Sequence, residues 1–171
     1  MKNELSFTKI ALIIAILVSY SFSTIDWIPS NKNWSKIKET ISNFYEDKYF
    51  ELEKINDISV TYLSTQFYKI RNHGDINGYL AIAKAPSKFE KFDFFILFNK
   101  DYHIYDVQIL NYREDWGFEI CNKKWLKQFL DVNFNSIISS SNQVQAISGA
   151  TISVNSLCKY TDSIVNDLVQ G

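Results

Sequence analysis

Residues 78–112 read GYLAIAKAPSKFEKFDFFILFNKDYHIYDVQILNY, and this stretch decides the fold. Three apolar runs are divided by two short polar ones. Residues 78–85 are small and apolar and predict a first strand. Residues 86–91 form a turn around Pro86. Residues 92–98 are an almost unbroken apolar run, which predicts a strand buried on both faces. Asn99, Lys100 and Asp101 then supply the polar turn of a hairpin. Residues 104–112 make the third strand, with imperfect alternation of Ile104, Asp106, Gln108 and Leu110 against Tyr105, Val107 and Ile109. Connections this short force neighbouring strands to run antiparallel.

Outward from that core, the flanks carry helical periodicity. Upstream, residues 34–50 place Ile37, Ile41, Phe44 and Tyr45 on one stripe, with Asn33 or Ser35 as cap. Residues 51–57 are charged and carry no clear pattern. Residues 58–70 are β-branched and aromatic and predict a strand, closed by a turn at 71–77. Downstream, residues 153–169 set Val154, Leu157, Cys158, Ile164, Val165 and Leu168 on a helical stripe that reads as core. A helix carrying Trp125, Leu126 and Phe129 is expected before it. Between them, residues 132–145 are polar, with Phe134, Ile137 and Ile138 as anchors and a short edge strand expected at 144–147. The order of elements predicts an α+β fold, an antiparallel sheet with helices packed against it. The expected organisation is 1–23 as signal peptide or membrane anchor, 24–77 as an N-terminal helix and strand, and 78–171 as the domain core.

Composition limits the function. A chain of 171 residues that is 46% hydrophobic fits one ordinary domain with a filled core, and 16% aromatic residues supply much of it. The net charge of −1, without a basic block, argues against nucleic acid as a partner. Lys2 and Lys9 precede an unbroken apolar run at residues 10–18, and Ser21-Phe22-Ser23 is a small-x-small cleavage site. The run is short for a membrane span, which needs about 20 apolar residues. The expectation is therefore export to the periplasm or another extracytoplasmic space, with residues 10–25 as an uncleaved anchor in the alternative. Cys121 and Cys158 fit no zinc spacing, and two free thiols are favoured over a bridge. His73 and His103, the only histidines, stand in no nucleophile or metal motif, so no catalytic residue and no metal site is assigned.

The chemistry-bearing stretch is Ser148-Gly149-Ala150-Thr151-Ile152-Ser153. Small residues bare the backbone, and a helix start turns its unpaired N–H groups and positive dipole end toward the run. Such a place suits an anion, commonly phosphate. The plain alternative is an ordinary helix cap.

Two motifs together resemble the FMN-binding domain family, known from the Rnf and Nqr electron-transport complexes and from small exported flavoproteins. The first is Ser148-Gly149-Ala150-Thr151. In the family the Thr of this run is esterified through its hydroxyl to the FMN phosphate by a separate flavin transferase, which implies Thr151. Ser153 is a second hydroxyl nearby. The second motif is the strand-end loop, with Glu114, Gly117, Glu119 and Ile120 in matching positions and Gln128-Phe129 closing the following helix. In the family this loop lies beside the flavin. The resemblance spans about residues 78–168. One position departs: Gln145 stands where the family carries Asp, three residues before Ser148.

The resemblance implies an exported FMN carrier that passes electrons between a membrane or exported redox partner and another acceptor, an electron carrier more than an enzyme with its own substrate. The implied contacts of the cofactor are Thr151, Ser148, Gly149, Ala150, Ile152, Ser153, Glu114, Gly117, Glu119 and Ile120. Tyr112, Trp116, Phe118 and Trp125 are candidates to cover the ring, with core packing the favoured role of Trp125. Lys123 or Lys124 would supply charge. Two other readings stay open: a non-covalent FMN binder or flavin-dependent reductase, motivated by Gln145, and an exported binding module whose motif is only a cap.

Overall fold

The structure is a computed structural model and describes residues 29–130 and 144–171. The expected signal segment and the anchors Phe134, Ile137 and Ile138 lie outside those residues. Helix α1 (Asn31–Tyr45) is followed by strands β1 (Glu51–Ile55), β2 (Gln66–Asn72), β3 (Asp75–Pro86), β4 (Lys91–Asn99) and β5 (Ile104–Asn111). A 3-10 turn (Phe118–Cys121), the short helix α2 (Lys123–Leu126) and a second 3-10 turn (Lys127–Phe129) come next. Helix α3 (Thr151–Gln170) closes the chain. The strands form one antiparallel sheet in the order β1-β2-β3-β4-β5. The α+β expectation holds.

Pairing puts small residues beside large ones on one face. Ala81 stands opposite Ile96, Ala83 opposite Phe94 and Ala85 opposite Phe92. That relief leaves room for α3, whose Val154, Leu157, Cys158, Ile164 and Leu168 are buried in the same cluster. The alternate residues Leu80, Ile82, Phe95 and Leu97 are fully buried on the other face, as are Ile37 and Ile41 of α1. Gln108 Nε2 donates to Thr40 Oγ1 of α1 at 3.2 Å, and Lys36 Nζ donates to the Ile109 carbonyl at 2.9 Å. Burial of β4 on both faces follows its apolar run.

Several sequence expectations shift. The first helix ends at Tyr45 because Glu46 takes a left-handed φ of 53°. The strand expected at 58–70 starts only at Gln66, and the charged segment before it forms β1 instead. Charge did not prevent β1, because it lies at the sheet edge, where Glu51 and Glu53 are exposed. Residues 56–65 instead strap α3: the N–H and hydroxyl of Thr61 both donate to the Asp167 carboxylate, at 2.8 and 2.6 Å, and the Tyr62 ring stacks on Tyr160. Residues 144–147 form no strand. The helix expected around Trp125 is broken into short pieces. Cys121 and Cys158 are both free thiols, one exposed and one buried, and burial pushes Cys158 up to about 11.

Candidate functional site

The S-G-A-T loop and the strand-end loop come together at the start of α3. Gly117 is the hinge of the strand-end loop, with φ of 79°, a conformation that side chains rarely adopt. A Cβ placed there would collide with the Cβ of Ala150, so the two loops touch backbone to methyl. Gly149 has φ of 80° and faces Trp116, whose Cβ would lie 3.4 Å from a methyl at that position. These two glycines and Ala150 let the loops close on each other without intervening side chains.

Ala150 is the N-cap residue of α3, and no side chain caps the helix. The hydroxyls of the motif therefore do not serve as the cap that the plain reading required. Thr151 occupies the first helical position and is exposed, as are Ser148 and Ile152. An uncapped start keeps the first N–H groups without intrahelical partners and the dipole end uncompensated.

Ser153 differs from Thr151 in every respect that matters to chemistry. It is 1% exposed. Its Oγ shares hydrogen bonds with the Ser87 hydroxyl and, at 3.0 Å, with the Tyr112 hydroxyl. Tyr112 in turn donates to the Trp116 carbonyl at 3.2 Å. Ser87 belongs to the β3–β4 turn, so this half-buried chain of hydroxyls joins that turn, the strand-end loop and α3.

The Glu114 carboxylate accepts from the amides of Phe89 at 2.8 Å and Glu90 at 3.0 Å. Those amides, that of Glu90 first, hold its carboxyl below the usual glutamate value. Glu114 thus grips the β3–β4 turn. Ile120 is fully buried in the core under α3. Glu119 is exposed and reaches a cleft of about 600 Å³ that Lys124, Trp125, Gln145 and Ser148 also line. Lys123 is exposed and does not line it. Trp125 is buried edge-to-face against Phe129, and its Nε1–H also reaches the Gln145 carbonyl at 2.9 Å. Trp116 and Phe118 are exposed, at 77% and 57%, and do not line that cleft.

Of the sequence-assigned residues, Ser148, Gly149, Ala150, Thr151, Gly117 and Glu119 gather at the loop and cleft. Ile152 is exposed on the helix start. Ser153 and Glu114 lie behind, in the bonds that hold the loops. Sequence reasoning missed Ser87 and gave Tyr112 and Trp125 no hydrogen-bonding role. A serine in a turn and a tyrosine at a strand end carry no signal until the register brings them together.

The site is thus an exposed threonine hydroxyl at a bare helix start, three residues after Ser148, which lines the cleft. Comparison with known families gives this arrangement its class. Residues 89–166 match the FMN-binding domain. The match falls on the domain that the two motifs implied, and it supports FMN as the cofactor. No curated protein matches the chain. The matched stretch runs from the β3–β4 turn into the last turns of α3, and α1, β1, β2 and β3 precede it.

Proposed function

We propose that this protein is an exported electron carrier with FMN esterified through its phosphate to Thr151. The single observation that supports the reading is the contrast between two hydroxyls. Thr151 is exposed at an uncapped helix start, while Ser153 is buried and engaged on both sides. A transferase can reach the first and not the second. The phosphate diester would meet the N–H groups and dipole end of α3, and the cleft beside Ser148 is large enough to take part of the flavin.

Attachment is a phosphoryl-group transfer. The Thr151 Oγ–P bond forms as the anhydride P–O–P bond of a flavin dinucleotide breaks. The hydroxyl proton leaves to the transferase base, and a nucleoside monophosphate departs. Once bound, FMN supplies the redox chemistry. The protein holds it and presents it to a membrane redox partner and another acceptor. A covalent tether keeps the cofactor from diffusing away outside the cytoplasm. Among the described residues no helix is long and apolar enough to cross a membrane.

Co-expression with a flavin transferase in an exporting host tests the reading by intact mass. One esterified FMN is expected on the wild type and on Ser153→Ala, and none on Thr151→Ala. Denaturation-resistant flavin on Thr151→Ala would overturn the assignment. A second reading, non-covalent FMN, is favoured by Gln145 at the position where the family carries Asp. Yellow protein that loses all flavin on acid precipitation would establish it.

A further inference from the structure

The main chain of Gln145 is clamped from both sides, which the attachment chemistry alone does not require. Its N–H donates to Gln128 Oε1 at 2.8 Å, and its carbonyl accepts Trp125 Nε1–H at 2.9 Å. Gln128 Nε2 donates to the Trp125 carbonyl at 2.8 Å. Both ends of the Gln128 amide are therefore used, and the three residues close a ring of hydrogen bonds. Between this clamp and α3 the loop has no strand partner; its own turn is fixed by Ala150 N–H donating to the Ile147 carbonyl at 3.1 Å. The loop is thus held at two ends, by the clamp at 145 and by the packing of Ala150 against Gly117.

We infer that Gln128 is a positioning residue for flavin attachment, fixing the approach of residues 145–150 so that Thr151 is presented in one geometry. The inference rests on the Thr151 reading for its consequence, but the clamp itself is independent of it. The hold is on the main chain, so it does not depend on which side chain stands at 145. Gln in place of Asp leaves the loop geometry intact. Whatever a carboxylate adds at 145 must act on the transferase or the flavin.

The test uses the full chain and two readouts. Amide hydrogen exchange of the flavin-free protein reports the clamp, and the initial rate of covalent loading, with the transferase and flavin dinucleotide at varied protein concentration, reports its consequence. Gln128→Leu removes both bonds and is expected to speed exchange at Gln145 and through the loop about tenfold or more, with strand amides unchanged. Loading efficiency should fall by a similar factor. Gln128→Glu keeps the acceptor for the Gln145 N–H and should load within about threefold of the wild type, a rescue that a volume effect would not give. Gln145→Ala should leave loop exchange unaltered. Trp125→Phe, which keeps an aromatic ring, though a smaller one, and removes the N–H donor, decides the matter if Gln128→Leu also opens the sheet: faster exchange confined to the loop supports the clamp, and unchanged loop exchange overturns it. Equal loading of wild type and Gln128→Leu overturns the inference while leaving the Thr151 reading intact. A wild type that takes no covalent flavin, with a loop still freed by Gln128→Leu, overturns the reading and leaves the clamp.

Discussion

The two faces of the sheet are closed by different physics. The α3 face is a size-complementary apolar pack: Ala81, Ala83 and Ala85 stand beside Ile96, Phe94 and Phe92, and the helix settles into the relief. The α1 face has an apolar centre in Ile37, Ile41, Leu80, Ile82, Phe95 and Leu97, but polar bonds flank it, from Gln108 to Thr40, from Lys36 to the Ile109 carbonyl, and from Tyr45 to the Asn77 carbonyl. Asp93, 1% exposed, adds a pair with Arg113 Nη2 at 2.6 Å and a bond from Asn111 at 2.9 Å. The face that aims Thr151 is the one packed by shape. Residues 89–166 hold nearly all of α3, whereas α1 lies outside the matched stretch. The start of α3 is fixed by close packing, and the opposite helix serves as cover.

If that contrast is right, truncation should cost more on the α3 face and should reach the site. Phe94→Ala removes a fully buried ring that also meets Tyr160 of α3, and it should cost about 3–5 kcal/mol. Ile37→Ala on α1 should cost about 2–5 kcal/mol, toward the lower end because the polar bonds beside it remain. Denaturant midpoints measure both. The sharper comparison is flavin loading of whatever remains folded, which should fall with Phe94→Ala and hold with Ile37→Ala. Equal loss in both would mean that the two faces support the site alike.

The contact between the loops can be broken more locally. Gly117→Ala puts a methyl onto Ala150 and forces a side chain into φ of 79°. Strain of this kind costs on the order of 1–3 kcal/mol, and the collision adds to it. The expected outcome is a moderate loss of stability with a larger loss of flavin attachment, because the damage falls on the two loops and not on the sheet. A loss of stability with unchanged attachment would separate the loop contact from the site.

How much of this was legible in the sequence follows the same division. Strands 78–85, 92–98 and 104–112 could be read because burial leaves a run or an alternation in the residues themselves. The stripe on α3 was equally plain, and its start moved only from 153 to 151. Strand β1 was hidden because an edge strand with Glu51 and Glu53 exposed has no reason to be apolar. Residues 58–65 read as the first part of a strand because Ile58 and Val60 are β-branched, yet these two pack on the core from a strap in which Thr61 bonds to Asp167, about a hundred residues away in sequence. At the site, Gly117, Gly149 and Thr151 carried a local signal through motif and spacing. Gln128 stood in the second motif without its hydrogen-bonding role, and Ser87 and the inward turn of Ser153 carried no signal, because these roles exist only once distant segments meet.

The smallest expected effect concerns Glu114, which ties the β3–β4 turn to the strand-end loop and so asks whether that turn belongs to the site half. Its carboxylate accepts from the amides of Glu90 and Phe89, and these hold its folded value below the ordinary 4.5. The folded protein therefore binds fewer protons at this group than the unfolded chain does. Its contribution is fully present above the ordinary value and is lost as pH falls through the depressed one. Glu114→Gln removes the charge while keeping the shape. The stability difference between wild type and Glu114→Gln should thus be constant from neutral pH down to about 5 and shrink below about 4.5. Hydrogen exchange should place the loosening in the amides of Phe89 and Glu90 and in the Ser87 to Ser153 contact. A difference that does not shrink with acid would mean that Glu114 acts through packing alone. Loosening confined to the turn, with loading of Thr151 untouched, would make the turn a support for the sheet and place the boundary of the site at Tyr112.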